Sequence, residues 1–107
     1  MTENNYTGKI LVLKDEIDYS KNSIVSKVIL EANGGNSTLF AIDDGQFISE
    51  HTAPFDALVF ILEGEAEIKI NKEPFVLSEG KMIIMPKNIA HALKALKRFK
   101  MLLIMIK

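Results

Sequence analysis

Apolar and polar residues alternate strictly through Glu65-Ala66-Glu67-Ile68-Lys69-Ile70, which puts Ala66, Ile68 and Ile70 on one face and charges on the other. A period of two is the mark of a strand with one buried face. The stretch before it, Ala57 to Leu62, has no polar residue on either face and so predicts a strand covered on both sides. Similar runs predict strands at Ile10 to Leu13 (an edge strand), Ser23 to Ala32, Ser37 to Ile42 and Phe47 to His51. Others follow at Pro74 to Leu77, Met82 to Met85, His91 to Leu96 and Phe99 to Ile106. Turn residues punctuate them: Asn33-Gly34-Gly35-Asn36, Asp43-Asp44-Gly45, Glu63-Gly64, Asn71-Lys72, Ser78-Glu79-Gly80 and Lys97-Arg98. Asp15 to Tyr19 has room for one helical turn and no more. About nine or ten short strands at this spacing predict an all-β sandwich or barrel.

Length and composition narrow the picture. A chain of 107 residues suits one domain, with residues 1–9 a polar lead-in and the strand-rich core at about 23–106. A formal net charge of −1 gives no electrostatic reason to expect nucleic acid or an anionic membrane as partner. There is no cysteine, hence no disulfide, no thiolate metal site and no thiol nucleophile. That suits a reducing compartment, and the polar start MTENNYTGK has no signal-like apolar core, so a cytoplasmic protein is expected. The most apolar run, Met101 to Ile106, is far short of the ~20 residues a membrane-spanning helix needs.

Candidate chemistry rests on two histidines, His51 and His91. They stand at the ends of two β-type stretches, HTAPFDALVFILEG and GKMIIMPKNIAH. Paired imidazoles are able to bind a metal or a ligand, or to move protons near neutral pH. Glu50 and Asp56 flank the first; Asp56 is the nearest candidate for a third metal ligand, although it neighbours Ala57 and adjacent strand residues face opposite ways. The Pro54 break offers a way around that. Lys94, Lys97, Arg98 and Lys100 form a basic cluster across a turn, without interleaved aromatics, and read as surface decoration.

These two stretches resemble the motifs of the cupin family. Gly45, His51 and Gly64 fall at the spacing of the family's first motif, and Gly80, Pro86 and His91 at that of its second. The fifteen residues from Glu65 to Glu79 separate them. The resemblance, in particular to small single-domain bacterial cupins without an assigned reaction, implies an antiparallel double-stranded β-helix, or jelly roll. It also implies a metal site, but the family's second histidine is Ala53 here, its glutamate is Ala57, and its asparagine is Ala95. Only His51 and His91 keep coordinating side chains. The expected site is therefore a mostly apolar mouth lined by His51, His91, Ala53, Ala57, Val59, Met85 and Leu93, with Phe47 near the rim. The first expectation is a module binding a small organic ligand. The second is a metal-dependent oxygenase or isomerase of a small metabolite, using iron, nickel, manganese or zinc on His51, His91 and Asp56. The apolar outer sides of the last strand and of Ala57 to Leu62 need cover, and small cupins often dimerise through such faces, so a homodimer is expected, with Ile10 to Leu13 crossing to the partner or capping an edge.

Overall fold

The computed structural model describes residues 5–107. Seven strands account for most of it: β1 (Ile24–Ala32), β2 (Gly35–Ile42), β3 (Phe47–His51), β4 (Asp56–Ile70), β5 (Glu73–Ser78), β6 (Met82–Met85) and β7 (His91–Ile106). All pairings are antiparallel. The long strands β4 and β7 run side by side and belong to both walls of the barrel. Their outer segments, 56–61 and 99–106, join β6 on one side and β2 and β1 on the other. Their inner segments, 65–70 and 91–97, join β5 and β3.

The predicted turns at Glu63-Gly64 and Lys97-Arg98 are therefore not reversals. They form one shared bend, where the β4–β7 register slips between Ile61 and Ala66. A bulge of this kind sharpens the twist and lets a strand cross from one wall to the other. Gly64 makes the bend possible: its φ is +86°, and a Cβ there would lie 2.0 Å from the Arg98 carbonyl oxygen. Asn71 and Lys72, both with positive φ, close the β4–β5 hairpin as a two-residue loop. Lys72 thus occupies a position where a type I′ turn prefers glycine.

Alternation divides the side chains between two cores. Inside the barrel, Ala57, Val59, Ile61, Ala66 and Ile68 from β4 pack with Leu93, Ala95, Phe99 and Met101 from β7, and with Ile42, Leu77 and Met85. On the outer face, Leu39 and Ala41 are sealed by Ile17, with Leu13, Tyr19, Leu62 and Leu102 around them. The seal is the segment before β1. It contains a single 3₁₀ turn at Leu13–Asp15 and no strand at Ile10 to Leu13, where an edge strand was expected. Ile10 is fully exposed. Without a pairing partner among the described residues its backbone does not join the sheet, whatever its β propensity.

Candidate functional site

Two loops define one end of the barrel. Residues 52–55 connect the end of β3 to the start of β4, and residues 86–90 connect the end of β6 to the start of β7. The Asn88 N–H donates to the Ala53 carbonyl at 2.8 Å and ties the loops together. Ala57 and Met85 are paired in one wall, and His51, His91 and Ile70 stand in one row of the other. Both rows lie at the ends of their strands, beneath these loops.

The two histidines meet. Their Nε2 atoms are 3.1 Å apart, and their rings stand edge to face at 71° with centroids 4.3 Å apart. His51 is exposed and His91 is 5% exposed, so the pair spans the boundary between solvent and core. Each ring is oriented by the backbone two residues before it. His51 Nδ1 donates to the Ser49 carbonyl at 2.8 Å and His91 Nδ1 to the Ile89 carbonyl at 3.2 Å. A carbonyl oxygen only accepts, so both Nδ1 atoms are protonated and both Nε2 atoms face inward to each other. Burial first, and then the His51 imidazole, hold His91 below the usual histidine value, against the opposing pull of the Ile89 carbonyl.

The expected lining is inward-facing with one exception. Ala57, Val59, Met85 and Leu93 are buried, and Val59 and Leu93 sit one layer beneath Ala57 and His91 in the packed core. Ala53 is half-buried in the loop. Phe47, expected near the rim, is instead 64% exposed on the outer side of its wall. It pairs with Lys94, while its neighbour Ile48 pairs with Leu93 and takes the inward position. A shift of one residue along β3 moves a side chain to the other face. Phe47, Ala92 and Lys94 instead border a shallow outer groove of about 160 Å³.

The third metal ligand also fails to arrive. Asp56 precedes the inward Ala57 and is exposed. Its Oδ1 accepts from the Lys87 backbone N–H at 3.0 Å, so it braces the loop rather than the histidines. No group of three or more histidine, cysteine or carboxylate side chains converges on a common point among the described residues. With Zn–N bonds of about 2.0–2.1 Å, two nitrogens at this spacing would subtend roughly 100° at one ion, so distance alone admits a cation. Two donors, however, fall short of the three or four protein ligands that hold zinc, and of the two histidines and carboxylate that hold non-haem iron. The residues present do not fit a resident metal.

Sequence reasoning found the histidines but not the carbonyls that aim them, since any residue supplies a carbonyl. Of the basic cluster read as surface decoration, Lys94, Lys97 and Arg98 are exposed as expected, and Lys100 is not. Arg98 lies over the Tyr19 ring at 3.8 Å. Lys100 is 8% exposed, and its Nζ donates to the Lys14 carbonyl. Both hold the segment before β1 against the sheet.

Comparison with known proteins bears out the barrel fold. Residues 38–107 match the family model described as a cupin domain. The chain belongs to the cupin family. Among solved structures, this cupin is similar to a protein of unknown function from Streptococcus pyogenes, at 38% identity and a TM-score of 0.91, over 98% of this chain and 92% of that one. It is similar to a cupin 2 conserved barrel domain protein from Leptotrichia buccalis, at 34% identity and a TM-score of 0.87, over 91% of this chain and 47% of that one. A cupin superfamily protein from Desulfitobacterium hafniense aligns at 29% identity and a TM-score of 0.89, over 97% and 95% of the two chains. No functionally curated protein matches the chain. No helix among the described residues is long and apolar enough to cross a membrane.

Proposed function

We propose that this cupin is a binding module that takes a small organic ligand at the barrel end closed by residues 52–55 and 86–90, beside His51 and His91. One observation carries the reading. The two imidazoles converge at that end at 3.1 Å while alanines stand where the family's further ligands belong. Alanine removes charge and coordination and leaves room. Small-ligand sites are mostly apolar with a few placed polar groups, and this is what Ala53, Ala57, Met85 and the histidines supply. The absence of cysteine suits a cytoplasmic setting.

We also propose that the protein works as a homodimer. Support comes from the outer face beyond the seal, where Ile84 pairs with Leu58 and Leu58 with Ile104. Ile84 and Ile106 are 57% and 61% exposed there. A second copy suits such a face because a two-fold axis matches an apolar strip to itself.

The test is a melting-temperature screen of the metabolite complement, together with metal analysis of protein purified without chelator or histidine tag. A ligand at a hundredfold excess over its Kd adds ~2.7 kcal/mol of apparent stability. A shift that His51→Ala abolishes supports the module. Near-stoichiometric iron, nickel, manganese or zinc, lost in His51→Ala, would instead favour a metal-dependent oxygenase or isomerase.

A further inference from the structure

The inner face of β2 carries two polar side chains that core packing does not explain. Leu39 and Ala41 lie under Ile17 on the outer face, and Phe40 and Ile42 pack into the barrel. By alternation Asn36 and Thr38 share the inward side. Thr38 is 8% exposed. Its hydroxyl donates to Asn36 Oδ1 at 3.2 Å, which fixes the carboxamide with Nδ2 as its free end. The Nδ2 hydrogens have no acceptor among the described residues, and Asn36 is half-buried. Register carries this amide to the barrel mouth. Asn36 pairs with Met105, Met105 with Ala57, and Ala57 with Met85, so the four stand in one inward row at the open end of their wall. Both β2 and β3 flank β7 on the side away from β4. Asn36 therefore looks across the mouth towards the end of β3 that carries His51. Read as the last residue of a turn at 33–36, Asn36 is instead the second residue of β2.

We infer that Asn36 determines specificity at the barrel-end site: its Nδ2 donates to a carbonyl oxygen of the ligand, and the Thr38 hydroxyl is the positioning group behind it. The inference rests on the binding-module reading and deepens it by naming the ligand class, a small, neutral, mostly apolar carbonyl compound. With the amide oxygen held by Thr38, the site offers a donor at this point and so selects an acceptor. The surroundings are apolar. Met105, Ala57 and Met85 share the row of Asn36, and Thr38 in the row beneath pairs with Leu103, which pairs with Val59. A ligand that covers the Nδ2 hydrogens without accepting from them strands a donor, which costs more than the bond itself gains. Ala57 leaves the row open between the two methionines, which suits a compact, single-ring molecule. Glu31 decides the charge. It is the β1 partner of Asn36, so its carboxylate shares the same face, with Cβ atoms about 5 Å apart. An anion at Nδ2 would meet that carboxylate; a neutral carbonyl oxygen accepts without the repulsion.

The experiment titrates the intact chain, labelled with ¹⁵N, with acetophenone and ethylbenzene, which share a skeleton and differ in the carbonyl oxygen. Acetophenone should bind roughly fivefold tighter, the net worth of one neutral hydrogen bond, and should shift the Asn36 side-chain amide signals. Benzoate should bind no tighter than acetophenone. Asn36→Leu, of similar size, should cancel the carbonyl preference without weakening ethylbenzene. Thr38→Val should reduce the preference and Thr38→Ser should keep it, a ratio that a merely structural role for Thr38 would not move. Equal affinity for acetophenone and ethylbenzene, or a preference that survives Asn36→Leu, would overturn the inference and leave the binding module standing. Should Asn36→Leu lose both probes, the Thr38→Val ratio decides, and an unchanged ratio there overturns the inference. Benzoate binding tighter than acetophenone would overturn the neutral class. If neither neutral probe binds while a metabolite gives a shift that His51→Ala abolishes, the inference fails and the module stands; if nothing binds, both fail.

Discussion

At the scale of single residues, the fold depends on positions where one atom decides. Gly64 and Gly80 share nearly the same backbone, with φ of +86° and +84°. They differ in surroundings: a Cβ at Gly80 meets nothing within 4 Å, whereas at Gly64 it meets the Arg98 carbonyl and Phe99. Gly80→Ala should cost only the left-handed penalty, about 1–2 kcal/mol. Gly64→Ala adds backbone overlap at the bend of both long strands and should cost at least about 3 kcal/mol. Urea unfolding of the two variants measures the difference, and equal losses would show that the bend yields. His91 gives a second prediction, in pH. An unfolded His91 takes up its proton near 6.5, the folded one at lower pH because of burial and the His51 imidazole. Between those values the unfolded chain binds more protons, so stability rises with pH. The contribution is complete above about pH 6.5 and is lost as pH falls through the folded value. His91→Asn should flatten the wild-type stability profile between pH 6.5 and 5, as measured by denaturant midpoints; an unchanged slope would remove His91 as its source. At this scale the sequence identified both histidines from their spacing. It did not reveal their orientation, because Ser49 and Ile89 act through carbonyls.

At the scale of elements, the segment before β1 takes the place of an edge strand. Ile17 is 5% exposed over Leu39 and Ala41. The segment is fastened from three strands. Lys27 of β1 donates to the Glu16 carbonyl at 2.9 Å, Glu63 of β4 accepts from the Tyr19 hydroxyl at 2.7 Å, and Arg98 of β7 lies over the Tyr19 ring. Ile17→Ala should cost about 2–4 kcal/mol through the cavity it leaves. Tyr19→Phe should cost about 1 kcal/mol, the net value of a hydrogen bond, and somewhat more for the charged acceptor. Amide exchange would distinguish the two: loss of protection confined to residues 10–20 in Tyr19→Phe, and spread into β2 in Ile17→Ala. Protection unchanged in both would mean that the segment does not seal the sheet. Burial first, then the bond to the Glu63 carboxylate, push the Tyr19 phenol well above its usual value. This contribution is therefore present below pH 10 and fades as pH rises above it. Most elements were legible in the sequence because alternation over five or six residues sets a strand and its faces. The merging of Ala57–Leu62 with Glu65–Ile70, and of His91–Leu96 with Phe99–Ile106, was not. A glycine with positive φ serves a hairpin and a bulge alike, and only the long-range register between β4 and β7 separates them. Phe47 failed for the related reason that facing in a five-residue strand depends on its partner's register.

At the scale of the molecule, the barrel has one outer face half sealed by its own chain and half bare. The sealed half lies over Leu39, Ala41, Leu62 and Leu102. The bare half continues the same wall through β6, where Met82 and Ile84 pair with Phe60 and Leu58, and along β7 to Ile104 and Ile106. These side chains alternate with the barrel core, so they are outward by register and not by accident of a loop. Beside them, Leu30 and Gly35 line a shallow groove of about 210 Å³ that also reaches Ile106. Between Leu58 and Phe60 on β4, along β6 and over the last six residues of β7 no charged residue interrupts this run; Asp56, which pairs with Ile106, marks its edge. A stable dimer needs roughly 800 Å² buried per partner, and a strip four strands wide has that reach. Sedimentation equilibrium of the wild-type chain should therefore give twice the chain mass at micromolar concentration. Ile84→Asp places a charge at the centre of the strip without touching the barrel interior and should give the monomer with an unchanged far-ultraviolet spectrum. His51→Ala, on the opposite wall of the barrel from Ile84 and facing inward, should leave the dimer intact. A wild-type monomer, or an Ile84→Asp dimer, would mean that the bare half is covered by something other than a second copy. Because the strip and the histidine pair share β4 and β7 on opposite faces, a ligand shift that survives Ile84→Asp would further show that each copy binds on its own.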